Sequence, residues 1–444
     1  MSHVDESLHG HFMAEMTGFL VSEFVRFCTM APSWLVQASL LASICAQVLA
    51  NSEIYPLSFR SRCLEFEPAK YIQNATLDIL EYVPAGTNLQ FPYNDPSCGR
   101  PNQTVSVDVC RIALNISTSS TSSVISEIWL PGTWSQRFLS TGNGGIDGCT
   151  KYEDLNYGTK YGFATVGSNN GHNGTGGVAF YHNDEVLKDY VWRSLHTITE
   201  VGKSLTYAFY STPHKTSYYI GCSGGGRQGV HAAELFPKDF DGIVVGDPAV
   251  NFNSLYSWRA SFYDITSQAN STNFITASLW KGLIHNEVLR QCDELDGVKD
   301  GVIENPDICH FDPKTLLCSS NSNSTQGCLS DSQVDIVQKV FSPMQGPNGT
   351  IAYPAMQPGS EISAAAGLYS GKPFAYSLDW FRYVVLNDPN WSGSPFSLSD
   401  ISTAQALNPF NVSTYPSTLL PFSNSGKTPP LPRPTRQSNN FLRI

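Results

Sequence analysis

The chain has 444 residues, with 27 Lys and Arg against 38 Asp and Glu, for a formal net charge of −11. Only 15% of residues are charged, whereas 41% are hydrophobic and 12% aromatic, which supplies a large packed core and rules out global disorder. An acidic chain without a basic cluster lacks the positive field that a phosphate backbone needs, so no nucleic-acid partner is expected. The length exceeds one typical domain and suggests a main fold with an insertion.

In chain order, residues 1–29 carry Asp5, Glu6, Glu15 and Glu23, which suit the start of a signal peptide badly. Trp34 to Ala50 is an apolar run closing on small residues, too interrupted for a membrane span and the right length for a signal-peptide core. We expect translation to start at Met30 and the mature chain near Asn51, with 1–50 as N-terminal extension and signal peptide. A buried, uncleaved apolar helix is the other reading of this run. Eleven cysteines and nine Asn-x-Ser/Thr sequons favour an oxidising, glycosylating route, hence a secreted, extracellular glycoprotein with disulfide bonds and no membrane partner. The sequons start at Asn74, Asn102, Asn115, Asn173, Asn270, Asn323, Asn348, Asn390 and Asn411. Without residues 1–50 nine cysteines remain, an odd number, so one is free, paired between chains or missing its partner.

From Cys63 to Asn115 the composition suggests a loop-rich, stapled edge. Val124–Leu130, Arg137–Ser140, Tyr161–Gly167, Ser217–Gly221 and Gly242–Asp247 then read as short apolar strands. Tyr190–Phe209 has helical spacing, and Gln228–Phe236 starts another helix. This alternation predicts an α/β fold with a doubly wound, mostly parallel sheet over 51–249. After Pro248 the alternation is lost, so 250–405 reads as an inserted lid subdomain, and 406–444 as a return to the core.

Gly221-Cys-Ser-Gly-Gly-Gly-Arg-Gln-Gly229 satisfies two patterns. Gly221, Ser223 and Gly225 fit G-x-S-x-G, the strand–turn–helix elbow that lifts a serine hydroxyl above a sheet. Gly224, Gly226 and Gly229 fit the dinucleotide fingerprint G-x-G-x-x-G, with Asp247 as a conceivable ribose ligand. A purely structural turn is the third reading. The elbow has a second component, the Gly142–Gly145 loop after a strand. Gly144 or Gly145 could offer a backbone N–H to an oxyanion, with the Gly224 N–H as its partner. Extracellular space supplies little dinucleotide, so context favours the elbow.

Cys222-Ser223-Gly-Gly-Gly-Arg-Gln-Gly229, Phe236-Pro-x-x-Phe240-Asp-Gly-Ile243, Gly246-Asp-Pro-Ala249, Tyr190-x-x-Arg193-Ser-Leu-His196 and the Thr141–Gly145 loop together resemble the fungal tannase/feruloyl esterase family, over about Cys63 to Phe422. The resemblance implies a secreted serine esterase with an α/β-hydrolase core and a large lid. Its substrates would be esters of aromatic acids such as ferulate, on xylan-type polysaccharide, or gallate. It also implies that Cys222 pairs with a cysteine beside the catalytic histidine.

Within the insertion, Cys292-Asp293-Glu-Leu-Asp296-Gly-Val298-Lys-Asp300-Gly-Val302 spaces three carboxylates by three and four residues between Gly turns. Hard cations want six or more oxygens, which such a loop can supply, although a solvated Asp-Gly turn has the same composition. Cys309 could close the loop onto Cys292. The resemblance implies a structural calcium held by Asp293, Asp296 and Asp300 and by the carbonyls of Val298 and Val302. Tyr256, Trp258, Phe262 and Tyr263 begin the insertion and could stack on an aromatic acid or form the lid core.

A serine hydrolase also needs a base and an orienting carboxylate, in the order Ser, acid, His in this fold. Only His231, His285 and His310 follow Ser223, and none suits the role: His231 lies two turns along a helix and the others belong to the insertion. His172 and His196 precede the serine. The resemblance puts the acid–base pair after the lid. Here no Asp, Glu, His or Cys follows Asp400, and Pro429, Pro430, Pro432 and Pro434 forbid a central strand. The expectation is therefore a truncated or altered C-terminus, missing last core strands, and an incomplete catalytic site. A non-catalytic glycoprotein of the same fold that binds phenolic or polysaccharide ligands is the rival reading.

Overall fold

The computed structural model describes residues 57–319, 327–347 and 349–425, and the backbone of 441–443. The expected signal segment, the sequons at Asn323 and Asn348, and the proline run 429–434 lie outside the described residues.

Eight strands form the central sheet: β1 (Ala75–Val83), β2 (Val109–Ser117), β3 (Ser123–Pro131), β4 (Arg137–Thr141), β5 (Phe163–Ser168), β6 (Thr216–Cys222), β7 (Gly242–Gly246) and β8 (Phe441–Arg443). Their spatial order is β1-β2-β3-β5-β4-β6-β7-β8. The middle four, β5-β4-β6-β7, are parallel, as the alternation with helices predicts. The first three strands are mutually antiparallel, and β8 runs antiparallel to β7. One short strand thus does follow the insertion, although the residues it spans include no carboxylate or imidazole.

The stretch 63–115 is more regular than its composition suggests, because it holds the two nine-residue strands β1 and β2. β1 lies at the sheet edge, and its half-exposed faces blur the alternation a strand normally shows. Cys63–Cys110 and Cys98–Cys149 staple this flank. On the opposing face of β2 and β3, the buried Arg111 guanidinium donates to Glu127 at 2.9 Å, and the Trp129 indole N–H donates to the same carboxylate at 3.0 Å. A buried charge in a low-dielectric interior requires this pairing.

Helices α1 (Tyr152–Lys160), α2 (Ser194–Tyr210) and α3 (Gly224–Leu235) flank the sheet. Leu195, Ile198, Leu205 and Phe209 of α2 are buried, at the three- and four-residue spacing of one helix face. The insertion contributes α4 (Phe252–Ile265) and α5 (Ala375–Trp380) among shorter elements. Its apolar cluster also takes in Ile146, Phe180, Tyr190 and Val191 from the loops and helical segments beside the sheet, and Phe59 onward forms one compact unit. No helix among the described residues is long and apolar enough to cross a membrane.

Candidate active site

In the parallel strands Thr141 lies opposite Ile220, and Cys222 opposite Gly246. The carboxyl ends of β4, β6 and β7 therefore share one edge, where open α/β sheets bind ligands. Ser223 sits there at φ 56°, ψ −115°, between β6 and α3. A non-glycine residue in this region is strained and persists only where its surroundings fix it. Its N–H donates to Gly246 O at 2.8 Å, and its own carbonyl accepts from Arg227 N and Ala249 N at 3.0 and 3.1 Å.

The glycines explain how the turn closes. A Cβ on Gly224 would stand 2.7 Å from Gly145 O, on Gly225 2.7 Å from Asn143 O, and on Gly226 2.7 Å from Gly246 O. The first turn of α3 thus lies against two backbones at once. Gly229 packs equally tightly on Tyr219 and Val245. The glycines of the second pattern therefore serve the close packing of α3 on the Gly142–Gly145 loop and β7. Asp247, exposed at φ 39°, follows directly on β7.

Side chains absent from the sequence reading hold the Gly142–Gly145 loop. Gln228 of α3 accepts from Asn143 N at 3.2 Å and donates to Asn170 Oδ1 at 2.9 Å. The Asn143 amide donates to the carbonyls of Cys149 and Ser168, and the Tyr190 hydroxyl donates to Gly145 O at 2.9 Å. The only sequence signal for Gln228 was its place in the quoted motif. The Gly144 N–H bonds the Asp147 carboxylate, whereas those of Gly145 and Gly224 have no acceptor among the described residues. They border Ser223 and are free to receive a developing oxyanion. The insertion roofs this corner, since the Tyr376 ring lies within 2.5 Å of where a Gly145 Cβ would be, and Asp379 accepts from Gly177 N at 2.8 Å.

No histidine bonds to the Ser223 hydroxyl among the described residues. His172 is buried against Ile146 O at 2.9 Å, His196 bonds Asp239 at 2.8 Å, and His285 bonds the buried Glu361 at 2.7 Å. His231 is buried in α3, and His310 is exposed in the insertion. Among the described residues Cys222 is the free, exposed cysteine, while Cys292–Cys309 and Cys318–Cys328 pair within the insertion. The free thiol accounts for the odd count.

Cys292–Cys309 brackets the acidic loop as expected. Asp293, buried, accepts from Gly301 N at 3.0 Å, Asp296 from Val298 N at 2.9 Å, and Asp300 from Val302 N at 3.0 Å. Among the described residues no three such side chains converge as a metal cluster. Tyr256, Trp258 and Phe262 are buried in the insertion's core, leaving Tyr263 alone of the four partly exposed. A cleft of about 500 Å³ opens elsewhere, lined by residues of β1, β2 and β3 and not by Ser223.

Two expectations follow. Gly225→Ala should push α3 off the Asn143 carbonyl and lower stability by about 1–3 kcal/mol, read by thermal or urea denaturation. Burial, then the Arg227 charge, lowers the His231 pKa to about 4, so the folded state keeps this imidazole neutral. The unfolded chain takes up that proton near pH 6.5. His231 therefore leaves stability intact above about 6.5 and removes on the order of 3 kcal/mol as pH falls from 6.5 to 4. His172, lowered by burial, adds in the same direction. Urea midpoints measured across this range should fall with pH, and by less in His231→Gln.

Comparison with known proteins agrees with this geometry. The family model described as tannase and feruloyl esterase matches residues 110–388. "Probable feruloyl esterase B-2" of Aspergillus flavus is 57% identical over 368 residues, covering 83% of this chain and 70% of that one. The crystal structure of feruloyl esterase B from Aspergillus oryzae superposes with a TM-score of 0.80 at 48% identity, over 83% of this chain and 73% of that one. Tannin acyl hydrolase from Aspergillus niger, at 20% identity and a TM-score of 0.63 over 84% and 73%, shares the fold. On the family match and these identities, the chain belongs to the tannase and feruloyl esterase family, with its α/β-hydrolase fold.

Proposed function

We propose that Ser223 is the nucleophile of a secreted carboxylic ester hydrolase that cleaves esters of aromatic acids, ferulate on plant cell-wall polysaccharide such as xylan, or gallate. The observation that carries this is the strained Ser223 turn packed against the Gly142–Gly145 loop, with the unengaged N–H groups of Gly145 and Gly224 beside Ser223. Ser223 Oγ attacks the ester carbonyl, and Gly224 with Gly145 stabilises the oxyanion, the Gly144 N–H being held by Asp147. The alcohol then leaves, and water hydrolyses the acyl-enzyme. The disulfides and sequons support an extracellular site of action.

The reading includes an incomplete proton relay in these 444 residues, because no imidazole reaches Ser223 among the described residues and no carboxylate or imidazole follows Asp400. Loss of a triad base costs on the order of 10⁴–10⁶ in kcat. Hydrolysis of p-nitrophenyl ferulate by the purified chain should therefore be slow, rise with added imidazole, and vanish in Ser223→Ala. A full enzymatic rate without imidazole would remove the incomplete relay, and turnover indifferent to Ser223→Ala would remove the nucleophile. The same missing contact favours a second reading, a non-catalytic glycoprotein that binds phenolic or polysaccharide ligands. Methyl ferulate binding without any Ser223-dependent turnover, even in imidazole, would establish it.

We also infer a structural calcium in the 292–309 loop. The donor set, three carboxylates and the carbonyls of Val298 and Val302, suits a hard cation. The exposed Asp296 and Asp300 carboxylates are free to turn from their present N–H partners toward an ion. A bound ion would cross-link the loop. At a hundredfold excess over Kd, calcium should add about 2–3 kcal/mol of stability, removable by EDTA and reduced in Asp293→Asn. An unchanged melting temperature on chelation ends this reading.

A further inference from the structure

We propose that the cleft beside β1–β3 is the seat of this protein's own N-linked glycan, carried by Asn173 and packed against Tyr93. The inference rests on the secretory reading above.

The cleft has a volume of about 500 Å³ and is lined by Phe91, Tyr93, Asn94, Asp95, Arg111, Glu127 and Asn173 among others. Its floor is the buried Arg111, paired with Glu127 and also with Glu81 at 2.8 Å, beside Phe91 stacked on Tyr152 at 3.6 Å. Its rim carries amides and the carboxylates of Asp78 and Asp95, so its free charge is negative. That combination repels anions and suits a neutral ligand rich in hydroxyl groups. A saccharide ring offers hydroxyls to amides and carboxylates along its edge, and C–H groups to an aromatic ring from its face. Tyr93 is 99% exposed, the most exposed large hydrophobic side chain described. A ring left wholly in water at a cleft mouth gains contact only from something the polypeptide itself does not supply.

Asn173 begins the sequon Asn173-Gly-Thr175, and its side chain is exposed at the rim of this cleft. Its Oδ1 accepts from Asn169 Nδ2 at 3.1 Å, whereas its Nδ2, the atom that receives a glycan, makes no hydrogen bond among the described residues. The sequon is also held to the loop that bears Tyr93. Thr175 N donates to Ser97 Oγ at 2.9 Å, and a Cβ on Gly174 would stand 3.0 Å from Asp95. The attachment atom and the exposed ring thus face one cavity from two segments about 80 residues apart in sequence. A covalently attached glycan is present at high effective concentration there, so even weak contacts keep it seated.

The test uses the full chain secreted from a glycosylating fungal host. Glycopeptide mass spectrometry should find Asn173 occupied. Thr175→Ala, which removes the glycan and leaves Asn173 in place, and Tyr93→Ala should each lower Tm by about 1–3 °C, and the double variant by no more than one of them. Additive losses, or an unoccupied Asn173 with glycans at other sequons, would overturn the proposal alone. A chain without glycan at any sequon would take the secretory reading down with it. Titration with xylohexaose separates the two sources of saccharide. Binding only to the Thr175→Ala protein supports a cleft filled by its own glycan, and binding of equal strength with the glycan in place overturns that occupancy. If Thr175→Ala fails to fold, Asn173→Gln takes its place in the same cycle.

Discussion

The site depends on one steric constraint: the first turn of α3 must lie against the Gly142–Gly145 loop and the end of β7 with no side chain between them. Gly224, Gly225 and Gly226 each stand where a Cβ would come within 2.7 Å of a backbone carbonyl oxygen. Because the contact is backbone on backbone, neighbouring side chains cannot relieve it by changing rotamer. The same contact holds Ser223 at positive φ, brings the unengaged N–H groups of Gly145 and Gly224 beside it, and places Ser223 at the positive end of α3.

Around that contact, polar side chains fix what packing alone would leave free to slide. Gln228 bridges the loop after β4 and the loop after β5, and Tyr190 fastens the Gly145 carbonyl. The insertion completes the corner, with Tyr376 over Gly145 and Asp379 on Gly177. Its apolar core takes in Ile146 of the loop after β4 and Tyr190 and Val191 just before α2, so the roof of the site packs against the segments that hold its floor. The aromatic start of the insertion, which could have lined a ligand pocket, mostly fills this core instead, because large rings gain more from full burial than from a wet surface.

The titratable groups divide by what surrounds them. Histidines with carboxylate partners, His196 and His285, lie away from Ser223, and those buried in the core, His172 and His231, are held neutral by desolvation. Cys222 stands exposed beside the nucleophile without a partner. In the acidic loop the carboxylates satisfy local N–H groups, which closes the loop and keeps oxygen donors on one short segment.

Much of this was legible in the residues alone. The strand–turn–helix around Ser223, the parallel centre of the sheet, the Cys292–Cys309 bridge and the odd cysteine follow from local spacing, which sequence records directly. The family, too, was visible in a few short motifs. Three matters were decided only by the tertiary structure. The glycine run fitted two motifs, and only its contacts with Asn143, Gly145 and Gly246, distant in sequence, show which backbones its missing side chains let in. The strands β1 and β2 were hidden because the edge strand β1 need not alternate, β2 is buried on both faces, and their pairing is a long-range choice. Where each histidine finds its partner, and that Asn173 and Tyr93 line one cleft, depend on contacts across dozens of residues. Local sequence cannot encode those contacts, because they exist only after the chain has closed on itself.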